Sequence, residues 1–144
     1  MEIKDKYIGN WVVGDKLWAQ YSDNQNIDIN IDKRMFVYIE DRYLIKNHMF
    51  IGLCYCLDKW GEFYILQKEE LKIRVKEEAI VKIIPQKSTF FWGDNVQEVN
   101  RPQIIGVIEK IEWHYKEQKY FYYISINGKM KSRRYYDEDL EKTK

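Results

Sequence analysis

The sequence predicts a mainly β protein made of two small modules in tandem. Three observations carry that expectation. Short runs rich in Ile, Val, Tyr and Phe recur along the whole chain, several of them alternating with polar residues, which is the period of a half-buried strand. The dipeptide Asn127-Gly128 separates two such runs and suits a two-residue type I′ hairpin, where both central residues need positive φ. Three short motifs also occur in the same order in each half, as expected of a repeated architecture.

Taken along the chain, Ile27-Asp28-Ile29-Asn30-Ile31 alternates strictly and predicts a strand with its isoleucines on one face. Met35 to Ile39 reads as a second strand, which Tyr43 to Ile45 extends after a bend at Glu40-Asp41-Arg42. Phe50 to Leu57 and Phe63 to Leu66 flank the turn Lys59-Trp60-Gly61-Glu62. Lys68 to Leu71 is read as one short helical turn, with a helix through Glu78 as the alternative, because Lys, Glu and Leu are good helix formers. Glu78 to Ile84 closes the first half before Pro85. In the second half, strands are expected at Asn95–Val99, Gly106–Tyr115, Tyr120–Ile126 and Lys129–Tyr135, with a helical turn at Asp137–Leu140.

The repeated motifs pair Gly14-Asp15-Lys16-Leu17 with Gly93-Asp94-Asn95-Val96, then Ile51-Gly52-Leu53 with Ile105-Gly106-Val107. The third pairs Leu66-Gln67-Lys68-Glu69-Glu70-Leu71 with Tyr135-Tyr136-Asp137-Glu138-Asp139-Leu140. Their spacing differs, so residues 1–84 would form a first module carrying an inserted hairpin at about Ile27–Ile45, and residues 90–144 a second one.

The run from Trp92 to Leu140 resembles an SH3-like barrel of the Tudor or KOW type. The matching positions are Gly93-Asp94-Asn95-Val96, Gly106-Val107-Ile108, the Tyr120–Tyr135 hairpin and Glu138-Asp139-Leu140. The resemblance implies two small SH3-like barrels in tandem with short helical turns. No closed aromatic cage of the Tudor kind and no strongly basic KOW face can be assigned. Small size and a Lys-, Ile-, Tyr- and Asn-rich composition also resemble bacterial immunity proteins paired with toxins and phage-encoded inhibitors, which implies binding to a toxin or effector protein.

Composition narrows the function classes. The net charge of +1 over 144 residues is poorly suited to coating nucleic acid, which favours a clear basic excess. The apolar runs are far shorter than the roughly 20 residues that span a bilayer, and Met1 to Lys6 has no signal-like apolar stretch. A cytoplasmic protein without membrane contact is expected, and 2 cysteines fit that compartment.

Catalytic and metal chemistry finds little purchase. Asp28 to Asp32 opens like a calcium loop, but Lys33 stands where glycine is needed and Ile39 where the bidentate Glu belongs. Cys54 and Cys56 share one strand face, poor geometry for a mutual disulfide. His48 and His114 are the only histidines and have no recognisable partner spacing. A phosphate-cradling loop is missing too. The expectation is a non-enzyme without metal or cofactor.

The candidate site is a basic strand beside aromatics. Lys129, Lys131 and Arg133 alternate along the expected return strand, with Arg134 on its other face, and Trp113, Tyr120 and Tyr122 lie on neighbouring strands. Symmetric pairing across the turn sets Ile126 opposite Lys129, Ile124 opposite Lys131 and Tyr122 opposite Arg133. Such a face fits a protein partner with Arg and Tyr as anchors. It also fits single-stranded nucleic acid or a solvated edge that blocks strand pairing. The leading expectation is a protein that inhibits or neutralises another protein, and the alternative is a nucleic-acid-binding module.

Overall fold

Alternating apolar residues build two antiparallel sheets and almost no helix in the computed structural model. It describes residues 5–14, 36–44 and 52–143. The chain divides into two units, Met1–Lys87 and Ser88–Lys144. The strand expected at Ile27–Ile31 and most of the inserted hairpin lie outside the described residues.

The first unit contains β1 (Trp11–Gly14), β2 (Gly52–Trp60), β3 (Phe63–Lys68), β4 (Leu71–Val75) and β5 (Ile80–Ile84), ordered β4-β3-β2-β1-β5. A 3-10 turn at Glu77–Ala79 precedes β5. Val12, Cys54, Cys56, Leu66, Ile73 and Val75 are buried in its core, each apolar side chain contributing about 2 kcal/mol through removal from water. Two sequence expectations change here. The short turn expected at 68–71 is present but not helical, Glu69-Glu70 being a tight turn with Glu69 at φ 57°, and the alternative helix through Glu78 is replaced by the strand Leu71-Lys72-Ile73-Arg74-Val75. Packing decides, because Ile73 and Val75 alternate into the core and outweigh the helix propensity of their neighbours. Of the strand expected at Met35–Ile39, Met35 lies outside the described residues, and Phe36–Ile39 form no continuous strand. Val37 makes one bridge to Val75, and Ile39–Asp41 coils into a 3-10 turn.

The second unit contains β6 (Asn95–Glu98), β7 (Ile105–His114), β8 (Lys119–Ile126), β9 (Lys129–Met130), β10 (Tyr135–Tyr136) and β11 (Leu140–Lys142). Its order is β10-β8-β7-β6-β11, with β9 beside β8. Asn127 and Gly128 join β8 to β9 at φ 53° and 81°, the positive values of a type I′ turn. The return strand is not continuous. Lys131 still lies against Ile124 as expected, its N–H donating to the Ile124 carbonyl at 2.8 Å, but residues 132–134 leave the ladder, so Tyr122 faces Tyr135 and not Arg133. The 3-10 turn expected near the end is present at Asp137–Asp139.

The two units correspond rung by rung. In each, the last strand returns to pair with the first and follows a 3-10 turn. Each second strand carries a bulge at the equivalent place, between Cys56 and Asp58 and between Ile108 and Lys110. Each opens on a left-handed glycine, Gly9 or Gly93, whose N–H donates to Cys56 or Ile108 at 2.8 and 2.9 Å. The Tyr64↔Val75 rung matches Tyr122↔Tyr135, and Val12↔Cys54 matches Val96↔Gly106. The sequence motifs therefore had the right order in the wrong register. Gly9-Asn10, not Gly14-Asp15, corresponds to Gly93-Asp94. Cys54, not Gly52, corresponds to Gly106. Val75 to Ile80, not Leu66 to Leu71, corresponds to Tyr135 to Leu140.

Candidate binding face of the second unit

The bulge at Glu109 decides which residues of β7 face out. Before it Ile108 is buried, and after it Ile111 and Trp113 are. Lys110, Glu112 and His114 are thereby turned to the other side, opposite Tyr123, Phe121 and Lys119 of β8. Along β8 the even positions point inward. Tyr120 and Tyr122 are 2% and 0% exposed, and Trp113 is 6% exposed with its ring edge-on to Tyr120 at 4.8 Å.

This corrects the expected site. Tyr120 and Tyr122 belong to the core, and Trp113, buried as well, shows only an edge to the groove lined by Phe121 and Tyr123. Burial pushes the Tyr120 phenol up; burial and the nearby Asp137 carboxylate do the same to Tyr122. The Tyr122 hydroxyl donates to Asp137 Oδ1 at 2.7 Å, and Phe90 packs edge-on against its ring. Arg133 is half exposed but structurally engaged. Its guanidinium lies 4.5 Å from the Tyr135 ring and 3.5 Å from the buried Glu98 carboxylate. Glu98 also accepts from the Tyr135 hydroxyl at 2.7 Å and from Arg101 at 2.9 Å. Burial works to raise that carboxyl, but Tyr135 and the arginines outweigh it and hold it below its ordinary value. Lys129 is exposed beside the turn, paired to Ile126 as expected. Lys131 and Arg134 are exposed as well.

What the sequence reading missed is the odd-numbered side of the same strand. Phe121 and Tyr123 lie edge-on to one another at 5.9 Å, and Tyr136 sits 6.3 Å from Phe121. The Arg134 guanidinium stacks 4.5 Å from the Phe121 ring centre, within cation–π range. Its association with Tyr123 and Tyr136 strengthens its hold on the proton. Lys119 lies 4.1 Å from the Tyr136 ring. Met130 is half exposed beside this cluster. Together Lys110, Trp113, Phe121, Tyr123, Met130 and Lys131 line a groove of about 470 Å³. Lys110, Lys131 and Arg134 have no ion-pair partner among the described residues, whereas Lys119 is paired with Glu117 and Glu138. One signal pointed to this side: Ser125, the polar residue in the run Tyr120 to Ile126, shares its parity with Tyr123 and Phe121.

Cys54 and Cys56 both lie on β2 with their side chains buried in the core. Burial, with Asp5 adding to it, pushes the Cys56 thiol up to about 12. Among the described residues no group of three His, Cys, Asp or Glu side chains is placed to hold a metal ion, and no helix is long and apolar enough to cross a membrane.

A family model described as a family of unknown function (DUF6960) matches residues 28–141, a span that enters both units. No curated protein and no solved structure matches the chain.

Proposed function

We propose that this chain, which belongs to the DUF6960 family, is a non-catalytic binding protein of two SH3-like barrels that engages another protein through the outer face of its second unit. The barrel reading is supported by the strand order common to both units, in which the last strand returns to the first after a 3-10 turn. The observation that carries the binding reading is the groove beside Arg134, lined by Tyr123, Met130 and two lysines with the buried Phe121 at its base. Aromatic, Met and Arg side chains supply most of the energy of protein interfaces. An inhibitory or neutralising role toward a toxin or effector, in the cytoplasm, is the form of this function that the small scaffold best fits.

The test is affinity capture from lysate of the source cell with the wild type, a Lys131→Glu/Arg134→Glu variant and a Lys72→Glu control. The expected result is a protein recovered with wild type and control but reduced at least tenfold with the double variant. Equal recovery by all three would place the functional surface elsewhere. A second reading, single-stranded nucleic acid, is favoured by three aromatic rings on one basic sheet face. A salt titration separates the two, since phosphate contacts weaken by orders of magnitude between low and moderate salt.

A further inference from the structure

The first unit contains the same face, and there it is occupied. By the shared rungs, Phe63 corresponds to Phe121 and Ile65 to Tyr123; Arg134, one residue before the Tyr122↔Tyr135 rung, takes the place of Arg74, one residue before the Tyr64↔Val75 rung. The segment Phe36–Asp41 of the first unit's own chain lies across that face. The Tyr38 ring sits edge-on to Phe63 at 5.2 Å and to Trp60 at 5.2 Å. The Arg74 guanidinium stacks on Tyr38 at 4.1 Å. Asp41, itself buried, accepts two bonds of 2.8 Å from the Arg74 guanidinium and a third of 2.8 Å from the Arg74 backbone N–H. The segment is thus an aromatic residue followed three positions later by an aspartate, read by one arginine on a sheet of aromatic side chains. The Tyr38 N–H also donates to the Arg74 carbonyl at 2.8 Å.

In the second unit the connection between β6 and β7 is short and supplies no such segment, and Phe121 itself is buried beneath Arg134, Tyr123 and Tyr136. Arg134 stacks on Phe121, where Arg74 stacks on Tyr38 and Trp60, but it has no carboxylate, and a groove lies open beside Phe121. Lys110 and Lys131 add two further cations without described ion pairs, against one acid, Glu112, in the lining. The backbone rung differs, because the Tyr136 N–H donates to Asp139 Oδ2, whereas its counterpart Lys76 donates to Phe36. Recognition here would therefore rest on side chains: a ring in the groove lined by Tyr123 and Met130, and a carboxylate on the Arg134 fork with the geometry that Asp41 uses on Arg74.

We infer that the outer face of the second unit binds an extended acidic-aromatic segment of a partner protein, with an aromatic side chain in the groove that Tyr123 and Met130 line beside Phe121 and a carboxylate three residues later on Arg134. The inference rests on the reading of this face as a protein-binding surface and adds the chemistry of what it takes. Excess positive charge suits an acidic segment, and the occupied face of the first unit supplies the pattern.

The test uses the full chain labelled with nitrogen-15 and a capped synthetic peptide with the sequence of residues 36–42. The expected result is fast-exchange amide shifts at Lys110, Tyr123, Lys131 and Arg134, with the first-unit face unmoved. A peptide carrying Asp41→Asn, and separately one carrying Tyr38→Ala, should each bind at least fivefold more weakly. Arg134→Glu in the protein should weaken the parent peptide at least tenfold, and Lys131→Glu should do so severalfold. The spectrum of each variant reports whether it is folded. Arg134→Gln, which keeps a planar polar head without charge, covers the case in which the charge reversal unfolds the unit. An affinity indifferent to the aspartate, to Arg134 and to Lys131 overturns the inference, as does a peptide that shifts no resonance on this face. Tighter, Arg134-dependent binding of oligouridine in place of the peptide overturns it in favour of nucleic acid. If the peptide fails while lysate capture still depends on Lys131 and Arg134, the face binds protein but by different chemistry. If both fail, the proposed function falls with it.

Discussion

Gly106→Ala isolates one close backbone approach in the second sheet. Gly106 pairs with Val96 on β6, one residue before the Val107↔Ser125 rung of the β7–β8 ladder. A Cβ at this position would meet the Ser125 carbonyl oxygen at 2.6 Å and the Ile124 side chain at 3.0 and 3.4 Å. Ordinary contact begins near 3.4 Å, and the oxygen belongs to backbone in the middle of a sheet, so it cannot swing away as a side-chain tip would. Forcing the strands apart costs about 1–3 kcal/mol, as overpacking of a filled interior does. Against this, replacing glycine by alanine restricts the unfolded chain and contributes about 0.4–1 kcal/mol of stability wherever the fold tolerates a methyl group. The clash wins, and a net loss of about 1–2 kcal/mol is expected. In a unit of this size that is a fall in thermal midpoint of roughly 5–15 °C. The assay is thermal and urea unfolding followed by near-ultraviolet circular dichroism, to which the core Trp113 and Tyr122 contribute. A midpoint unchanged or raised would show that the gain in chain restriction prevails and that the close approach at Ser125 is absent in solution.

Four further outcomes are expected. Gly128→Val should destabilise the second unit by about 1–3 kcal/mol, because a β-branched residue resists the φ of 81° that the turn requires; thermal unfolding reads it directly. For Asp41, burial works to raise the carboxyl, but the Arg74 bonds outweigh it and leave its folded value below the ordinary one. Its contribution is therefore complete above about pH 4 and lost as pH falls through the folded value, so Asp41→Asn should flatten the dependence of stability on pH between 5 and 2 in urea titrations. Glu98→Ala removes the acceptor shared by Tyr135, Arg101 and Arg133 and should cost about 2 kcal/mol, discounted for the half-exposed arginines. Cys54 and Cys56 should resist a thiol-specific disulfide reagent at pH 8 in the native protein, Cys56 being held protonated by burial, and both should react once urea unfolds the chain.

Much of the fold was legible in local patterning. The hairpin at Asn127-Gly128, the runs that became β7 and β8, and the final 3-10 turn follow from turn chemistry and period-two alternation. β4 was obscured because charged helix formers surround it, although Leu71, Ile73 and Val75 already alternate; tertiary burial, not propensity, selects the strand. The site was legible in kind but not in placement. Basic and aromatic residues do share a face of the second unit, yet two irregularities decide which ones. The bulge at Glu109 reverses the parity of β7, and residues 132–134, which leave the ladder, shift Tyr135 to the rung that simple counting gave to Arg133. Both are set by long-range pairing, which no local pattern encodes. The same holds for the repeat, whose matching glycines lie at Gly9 and Gly93 because hydrogen bonds from the second strand, not the neighbouring letters, define their equivalence.

The pairing of each unit's last strand with its first has a kinetic consequence. β5 meets β1 through Ile84 and Trp11, and β11 meets β6 through Leu140 and Glu98. Neither sheet can complete its path until segments from opposite ends of the unit have met, so the entropy of closing that long loop falls due before the final rungs reward it. Refolding should then be slow compared with a helical protein of equal length. It should also be concerted, with β1 or β6 gaining protection from hydrogen exchange only when the closing strand docks. A chain cut just before Leu140 would lose more than three residues of strand: Val96 and Glu98 would be left on an open edge, a template for pairing with another copy.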